Sequence, residues 1–214
     1  MAPKRCVIIG ASPEKELSYY NGLIRQTDTV VCADGGYKKA ALCGIRPYAV
    51  IGDFDSAPPP DKTDCEIISL PRKKDDTDTM FCIKEFEKRG FTDFLLLGMT
   101  GGRPDHTLAN YSALLYLANR GLSGSIADAD GSFHAVDREL VIDGQSGSGF
   151  GIFPFGCAGC TVTLKGFLYE TENYKLSADM PIGVSNTIAS DRAYVGVSDG
   201  TALAMIYKTQ IGTV

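Results

Sequence analysis

The sequence predicts a two-part α/β protein: an open parallel sheet flanked by helices over residues 1–122, followed by a small antiparallel β domain over residues 123–214. Three observations predict it. Up to residue 120, short apolar runs alternate with stretches of helical periodicity, as repeated β-helix-β units with strands buried on both faces require. After Gly121 the helical periodicity stops, and 14 of the 24 glycines fall in the last 94 residues. Short apolar runs then follow one another, punctuated by turn residues such as Asp130-Gly131, Asp143-Gly144 and Asp199-Gly200. The boundary belongs near residues 121–124.

Residues 5–10 read as a buried strand ending in Gly10-Ala11-Ser12-Pro13. Pro13 suits the first turn of a helix reaching about residue 25, and small residues before a helix start are where phosphate groups often sit. No GxGxxG follows the strand, so a dinucleotide fingerprint is absent. Residues 29–33 form the second strand and open into Asp34-Gly35-Gly36, with a helix over 37–43 closed by Gly44. Residues 48–51 form the third and empty into Gly52-Asp53-Phe54-Asp55-Ser56. Carboxylates at a spacing of two leave the backbone in similar directions, so Asp53 and Asp55 can converge on one hard cation. A solvated Asx turn is the plainer reading of that pair taken alone.

Residues 66–70 give the fourth strand, ended by Pro71. The run Arg72-Lys73-Lys74-Asp75-Asp76-Thr77-Asp78 then precedes a helix with Met80, Ile83, Phe86 and Glu87 at helical spacing and Gly90 as its stop. An N-cap and first turn account for Asp76, Thr77 and Asp78. They do not account for three cations running straight into three aspartates. Residues 94–97 are the fifth strand, opening into Gly98-Met99-Thr100-Gly101-Gly102-Arg103-Pro104-Asp105-His106. Pro104 starts a helix reaching Asn119 whose apolar face carries Leu108, Tyr111, Leu115 and Ala118. Two glycines and an arginine at a helix N-terminus supply free N–H groups, the positive dipole end and a bidentate donor, which together make an anion site.

Ligands of an open parallel sheet bind outside the carboxyl ends of its strands, and every polar loop above lies there. Asp34, Asp53, Asp55, Asp75, Asp76, Asp78 and Asp105 would share one rim and repel one another unless cations sit among them. Mg²⁺ with a polyphosphate satisfies that charge most simply, taking carboxylate oxygens on one side and phosphate oxygens on the other. His106, in a helix's first turn, reads as orienting or structural, and His134, in a predicted strand, as structural. Asp128 and Asp130 repeat the spacing of Asp53 and Asp55, but a hairpin turn before Gly131 explains them more simply.

The totals exclude several classes. Net charge is −5, with 16 basic and 16 acidic residues in 1–120 but 5 and 10 in 121–214, so no basic stripe offers itself to nucleic acid or an anionic membrane. The apolar run after Lys4 and Arg5 is too short for a signal peptide or a bilayer span, which makes cytoplasm the default location. Seven irregularly spaced cysteines suit a reducing compartment, and Cys157 and Cys160 form a lone CxxC without a second ligand pair for zinc.

With these motifs in place, the chain resembles the thiamine pyrophosphokinase family over nearly its whole length. The resemblance is carried, in order, by Ala33-Asp34-Gly35-Gly36, Gly52-Asp53-Phe54-Asp55-Ser56, Asp75-Asp76-Thr77-Asp78, Gly101-Gly102-Arg103-Pro104-Asp105-His106, Gly166-Phe167-Leu168-Tyr169 and Val184-Ser185-Asn186. It implies a Rossmann-like N-terminal catalytic domain and a C-terminal β-sandwich, and transfer of a diphosphate from ATP to the hydroxyl of thiamine with Mg²⁺, releasing AMP. It also implies Asp53, Asp55 and Asp78 as metal ligands with Asp34 close by. Lys74, Thr77, Arg103 and His106 fall on the nucleotide side, and Asp105 beside the reacting hydroxyl. Ser185 and Asn186 would hydrogen-bond the thiamine pyrimidine, Tyr169 would supply an aromatic ring, and a homodimer would place thiamine between subunits. The chain departs from the family at Tyr37-Lys38-Lys39, where smaller or amide residues are usual, and it contains no tryptophan. Two rival readings are another Mg²⁺-dependent phosphotransferase and a non-catalytic thiamine or nucleotide sensor.

Overall fold

The computed structural model describes residues 4–13, 16–55, 59, 65–73 and 75–208. The chain divides into two compact units, Met1–Ala113 with Leu122–Ala129, and Leu114–Gly121 with Asp130–Val214.

The first unit is built on β1 (Arg5–Ile9), β2 (Thr29–Ala33), β3 (Ala49–Gly52), β4 (Glu66–Ser69), β5 (Asp93–Leu97) and β6 (Ser123–Ala127). These strands are all parallel, in the spatial order β4-β3-β2-β1-β5-β6. Cys6, Val7, Ile8 and Ile9 of β1 are fully buried, as a central strand covered on both faces must be. Strand order runs one way from β1 through β2, β3 and β4 and the other way through β5 and β6, so the ends of β1 and β5 border the crevice that such a reversal opens.

Four helices belong to this order: α1 (Tyr20–Leu23), α2 (Gly36–Leu42), α3 (Asp78–Lys88) and α4 (Pro104–Ala118). Thr77 caps α3 by accepting from the Met80 N–H at 3.2 Å, Cys82, Ile83 and Phe86 bury its inner face, and Gly90 (φ +86°) stops the chain beyond it. Within the described residues, α1 is a single turn rather than the long helix expected from Pro13. Asn21 and Gly22 are poor helix formers, and Ile24 leaves in extended conformation (φ −85°, ψ 127°). The start of the segment expected to be antiparallel, residues 123–127, is instead β6, parallel to β5 with Ser123 opposite Asp93 and Ala127 opposite Leu97. A short run with two buried residues, Ile126 and Ala127, carries no local mark of its partner's direction.

The second unit contributes two sets of antiparallel strands. One is ordered β12-β9-β14-β7, from β7 (Gly131–Val136), β9 (Gly149–Pro154), β12 (Asn186–Thr187) and β14 (Ala202–Tyr207). The other is ordered β11-β10-β13-β8, from β8 (Glu139–Asp143), β10 (Gly159–Lys165), β11 (Thr171–Ser177) and β13 (Arg192–Ser198). Phe150 and Ile152 of one sheet share a core with Val162, Leu164 and Val195 of the other, and the Phe150 and Phe167 rings lie 4.5 Å apart. Asp143-Gly144 and Asp199-Gly200 turn the chain from one sheet to the other, with Gly144 at φ +68° and Asp199 at +56°. Strand β11 has no counterpart in the sequence reading. Leu176 is its one buried residue, so the strand carries no apolar alternation.

Candidate active site

A cleft of about 510 Å³ opens at the carboxyl ends of the first unit's strands, where Gly10 and Ser12 leave β1, Asp34 leaves β2, Asp53 leaves β3 and Gly98 leaves β5. Thr77 and Asp78 at the start of α3, and Arg103 and His106 at the start of α4, complete its wall. The exits of β1 and β5 touch: Gly98 sits at φ +67°, and a Cβ there would lie 2.6 Å from the Gly10 carbonyl oxygen. A Cβ on Gly52 would similarly meet the Asp34 Cα at 2.9 Å, so glycine lets the loops after β2 and β3 close on each other.

Asp34 stands in left-handed conformation (φ +44°) with its Oδ1 buried and without a hydrogen-bond partner among the described residues. Burial, followed by the charges of Asp78, Asp53 and Asp55, pushes its carboxyl above the ordinary range. Asp53 and Asp55 form the plainer of the two expected arrangements. The Asp55 N–H donates to Asp53 Oδ1 at 3.2 Å across Phe54 (φ +54°), which is an Asx turn, and Asp53 nevertheless faces the cleft. Asp55 is exposed and does not line it. Among the described residues, no three acidic, histidine or cysteine side chains are grouped tightly enough to hold a metal ion.

The mixed-charge loop divides. Asp76 lines the cleft while held by Lys84 Nζ at 2.6 and 2.8 Å, and Arg72, which the sequence reading gave no role, lines it as well. Lys74 and Ser56 lie outside the described residues. Arg103 turns its fork on Asp105, with Nε to Oδ1 at 3.1 Å and Nη2 to Oδ2 at 2.5 Å, and the His106 N–H adds a third bond at 2.9 Å. The Arg103 hydrogen bond is the main cause that holds the exposed Asp105 carboxyl at about 2. Asp105 is therefore a weak base in this arrangement, and it does not line the cleft.

In the second unit a groove of about 250 Å³ is walled by Phe150, Leu164, Tyr169, Tyr174, Ile182 and Val184, with Asn186 at its edge. Tyr169 is 66% exposed. The Asn186 amide clasps the Tyr169 backbone, Nδ2 donating to its carbonyl at 2.9 Å and Oδ1 accepting from its N–H at 3.0 Å and from the Thr187 N–H at 2.8 Å. Asn186, expected on the thiamine pyrimidine, thus spends both ends of its amide on the chain. Ser185 (φ +59°) is exposed and does not line the groove. Of the groove's apolar wall the sequence reading named Tyr169 and quoted Val184 but gave Ile182 no role, although Ile182 and Val184 alternate in a strand-like way and both stay exposed.

Residues 20–123 match the family model "Thiamin pyrophosphokinase, catalytic domain", and residues 136–201 match "Thiamin pyrophosphokinase, vitamin B1 binding domain". The chain is 26% identical over 160 residues to thiamin pyrophosphokinase 1 of Caenorhabditis elegans, a match covering 70% of this chain and 65% of that protein. Its fold is similar to the crystal structures of thiamine pyrophosphokinase from Bacillus subtilis (TM-score 0.86, 20% identity, 96% of this chain and 99% of that one). It is also similar to that from Geobacillus thermodenitrificans (TM-score 0.85, 22% identity, 97% and 99%). Two domain models matched in series over most of the sequence decide the family: this chain belongs to the thiamin pyrophosphokinases.

Proposed function

We propose that the chain transfers the β,γ-diphosphate of ATP to the hydroxyl of thiamine, yielding thiamine diphosphate and AMP. The observation that carries this reading is the cleft in which Asp34, Asp53 and Asp78 stand beside Thr77 and Arg103 at two helix starts. Such a site suits an anion bound together with cations. Mg²⁺ would answer the unsatisfied charge, with the aspartates drawing together around it as it binds: Asp34 keeps a buried oxygen without a hydrogen-bond partner among the described residues, and its carboxyl is raised partly by neighbouring carboxylates. Asp53, Asp55 and Asp78 would hold the ion, with Asp34 beside them. Bound there, Mg²⁺ offsets charge on the phosphate oxygens.

The remaining work is positioning. Thr77 and Lys74 hold phosphates, and His106 borders the nucleotide. Arg103 exchanges the Asp105 carboxylate for phosphate oxygens, a pairing its planar fork makes equally well. Released from Arg103, Asp105 regains basicity and orients the thiamine hydroxyl or accepts its proton. The hydroxyl oxygen then bonds to the β-phosphorus in line, the bond from that phosphorus to the bridging oxygen breaks, and AMP leaves with the oxygen.

In this reading the unit built on β1–β6 forms the Rossmann-like catalytic domain, so that the boundary expected at residue 122 moves past β6, and the antiparallel unit forms the β-sandwich that binds thiamine, Tyr169 stacking on the ring with Ser185 and Asn186 nearby. A homodimer, with thiamine between the β-sandwich of one subunit and the catalytic domain of the other, gives the exposed Leu168, Tyr169 and Val184 something to meet. No described helix is long and apolar enough to cross a membrane, and we place the enzyme in the cytoplasm. The test is to incubate purified protein with ATP, Mg²⁺ and thiamine and to follow products by chromatography. AMP and thiamine diphosphate in equal amounts, abolished by EDTA and by Asp55→Ala, are expected. Thiamine binding without product would favour the sensor, and ADP or pyrophosphate would favour a different transferase.

A further inference from the structure

Asp128 follows the last residue of β6, one step past the Ala127–Leu97 pair, and its Oδ2 accepts from Thr100 Oγ1 at 2.7 Å. We propose that Asp128 is a positioning residue that holds the loop of residues 98–103 in the shape that presents Arg103 to the phosphates. This rests on the activity proposed above. The loop needs holding because Gly98, Gly101 and Gly102 give it wide backbone freedom, and two of them take left-handed conformations (φ +67° and +81°). Its backbone also passes close to the exit of β1: a Cβ on Gly102 would lie 2.9 Å from Pro13 Cδ. A small displacement would therefore change the cleft wall.

Among the described residues, Thr79, Asn110 and Asp128 bring side-chain hydrogen bonds to the loop from outside it, Thr79 Oγ1 reaching the Met99 sulfur at 3.7 Å. Asn110, buried in α4, donates to the Met99 carbonyl at 2.8 Å. Helix α4 begins where the loop ends, so Asn110 moves with the loop's exit. Asp128 comes from the neighbouring strand and ties the loop to the sheet itself. The 2.7 Å separation of Thr100 Oγ1 and Asp128 Oδ2 is that of a well-formed O–H···O bond. Asp128 does not line the cleft, so its influence passes through Thr100.

The test compares Asp128→Ala, Asp128→Asn, Thr100→Val and the double variant Asp128→Ala/Thr100→Val. Misplacing a phosphate-binding group by about 1 Å can cost about 100-fold in rate. Asp128→Ala and Thr100→Val are each expected to lower kcat about 10- to 100-fold with little change in the thiamine KM, and amides of residues 98–103 to exchange faster with deuterium. Asp128→Asn keeps an acceptor oxygen and is expected to restore both readouts, and the double variant to be no worse than either single one. Unchanged exchange in Asp128→Ala, equal damage from Asp128→Asn, or multiplying effects in the double variant would each overturn the proposal. If the wild-type protein forms no AMP, the activity reading fails by itself, and the exchange comparison still decides whether Asp128 orders the loop.

Discussion

The α/β unit gathers charge at its strand ends and leaves some of it unsatisfied, whereas the β unit offers an apolar groove whose bordering Asn186 amide is already hydrogen-bonded. Asp34 Oδ1 is buried without a hydrogen-bond partner among the described residues, but both ends of the Asn186 amide are occupied. The first arrangement is costly until something binds and offsets the repulsion. The second is complete in itself and would recognise a ring by shape. In this reading one unit stores a demand for cations and anions, and the other stores a surface.

The largest effect should come from removing that demand. Asp53→Ala or Asp78→Ala is expected to lower kcat by about 1,000-fold or more, since charge stabilisation in a closed site is usually the largest single contribution to phosphoryl transfer. The same substitutions should change thermal stability little, because relief of carboxylate repulsion offsets the lost Asx-turn bond of Asp53 or the lost first-turn charge of Asp78. Measuring AMP release and the melting temperature on the same samples checks both halves. A loss of stability equal to that of a core substitution would mean these aspartates are structural.

In the β unit the large effect should be on stability instead. Phe150 is fully buried, packs on Phe167 and floors the groove. Phe150→Ala is expected to cost about 3–5 kcal/mol. Chemical denaturation followed by hydrogen exchange in each unit would show whether the loss stays in the β unit. Equal loss of protection in both units would erase the independence that the comparison assumes.

The contrast also decides what was legible in the sequence. Strands β1, β2 and β5 are near-continuous apolar runs, and the loops after them carry glycine, aspartate and arginine in patterns that only a strand end explains. Asp34, Asp53, Thr77, Asp78, Arg103 and His106 were therefore recoverable, and the fold brings all six to one cleft. What escaped is what depends on a distant partner. The sequence of β6 does not say that Asp93 lies opposite Ser123, and so Asp128 reads as turn chemistry when its carboxylate in fact holds Thr100. Strand β11 escaped because only Leu176 is buried, and the Asn186 clasp because it closes over 17 residues.

Acid should act on the two units with opposite sign. Burial lowers His134 to about 4, so between about pH 6.5 and 4 the unfolded chain takes up a proton that the folded one does not. Its contribution is present above the unfolded pKa and is lost as pH falls, by up to about 3 kcal/mol. Asp34 is shifted upward, so its folded form is favoured by acid and the contribution fades as pH rises through its folded pKa. Denaturant midpoints measured from pH 7 to pH 4 should fall less steeply for His134→Gln than for wild type. Parallel curves would remove His134 from the account.

The smallest expected effect tests the groove most directly. Tyr169→Ala should raise the thiamine KM several-fold, at most about ten-fold, because ring stacking contributes about 0.5–1.5 kcal/mol beyond burial. Tyr169→Phe keeps the ring and should be nearly neutral, since the geometry gives the hydroxyl no role. Asn186→Ala frees the Tyr169 backbone, so it should raise KM by a comparable factor without touching thiamine. If Asn186 works only through Tyr169, the double variant will be no worse than Tyr169→Ala. If the two factors multiply, Asn186 contacts thiamine itself, and the β unit's polar groups are then less self-sufficient than the clasp implies.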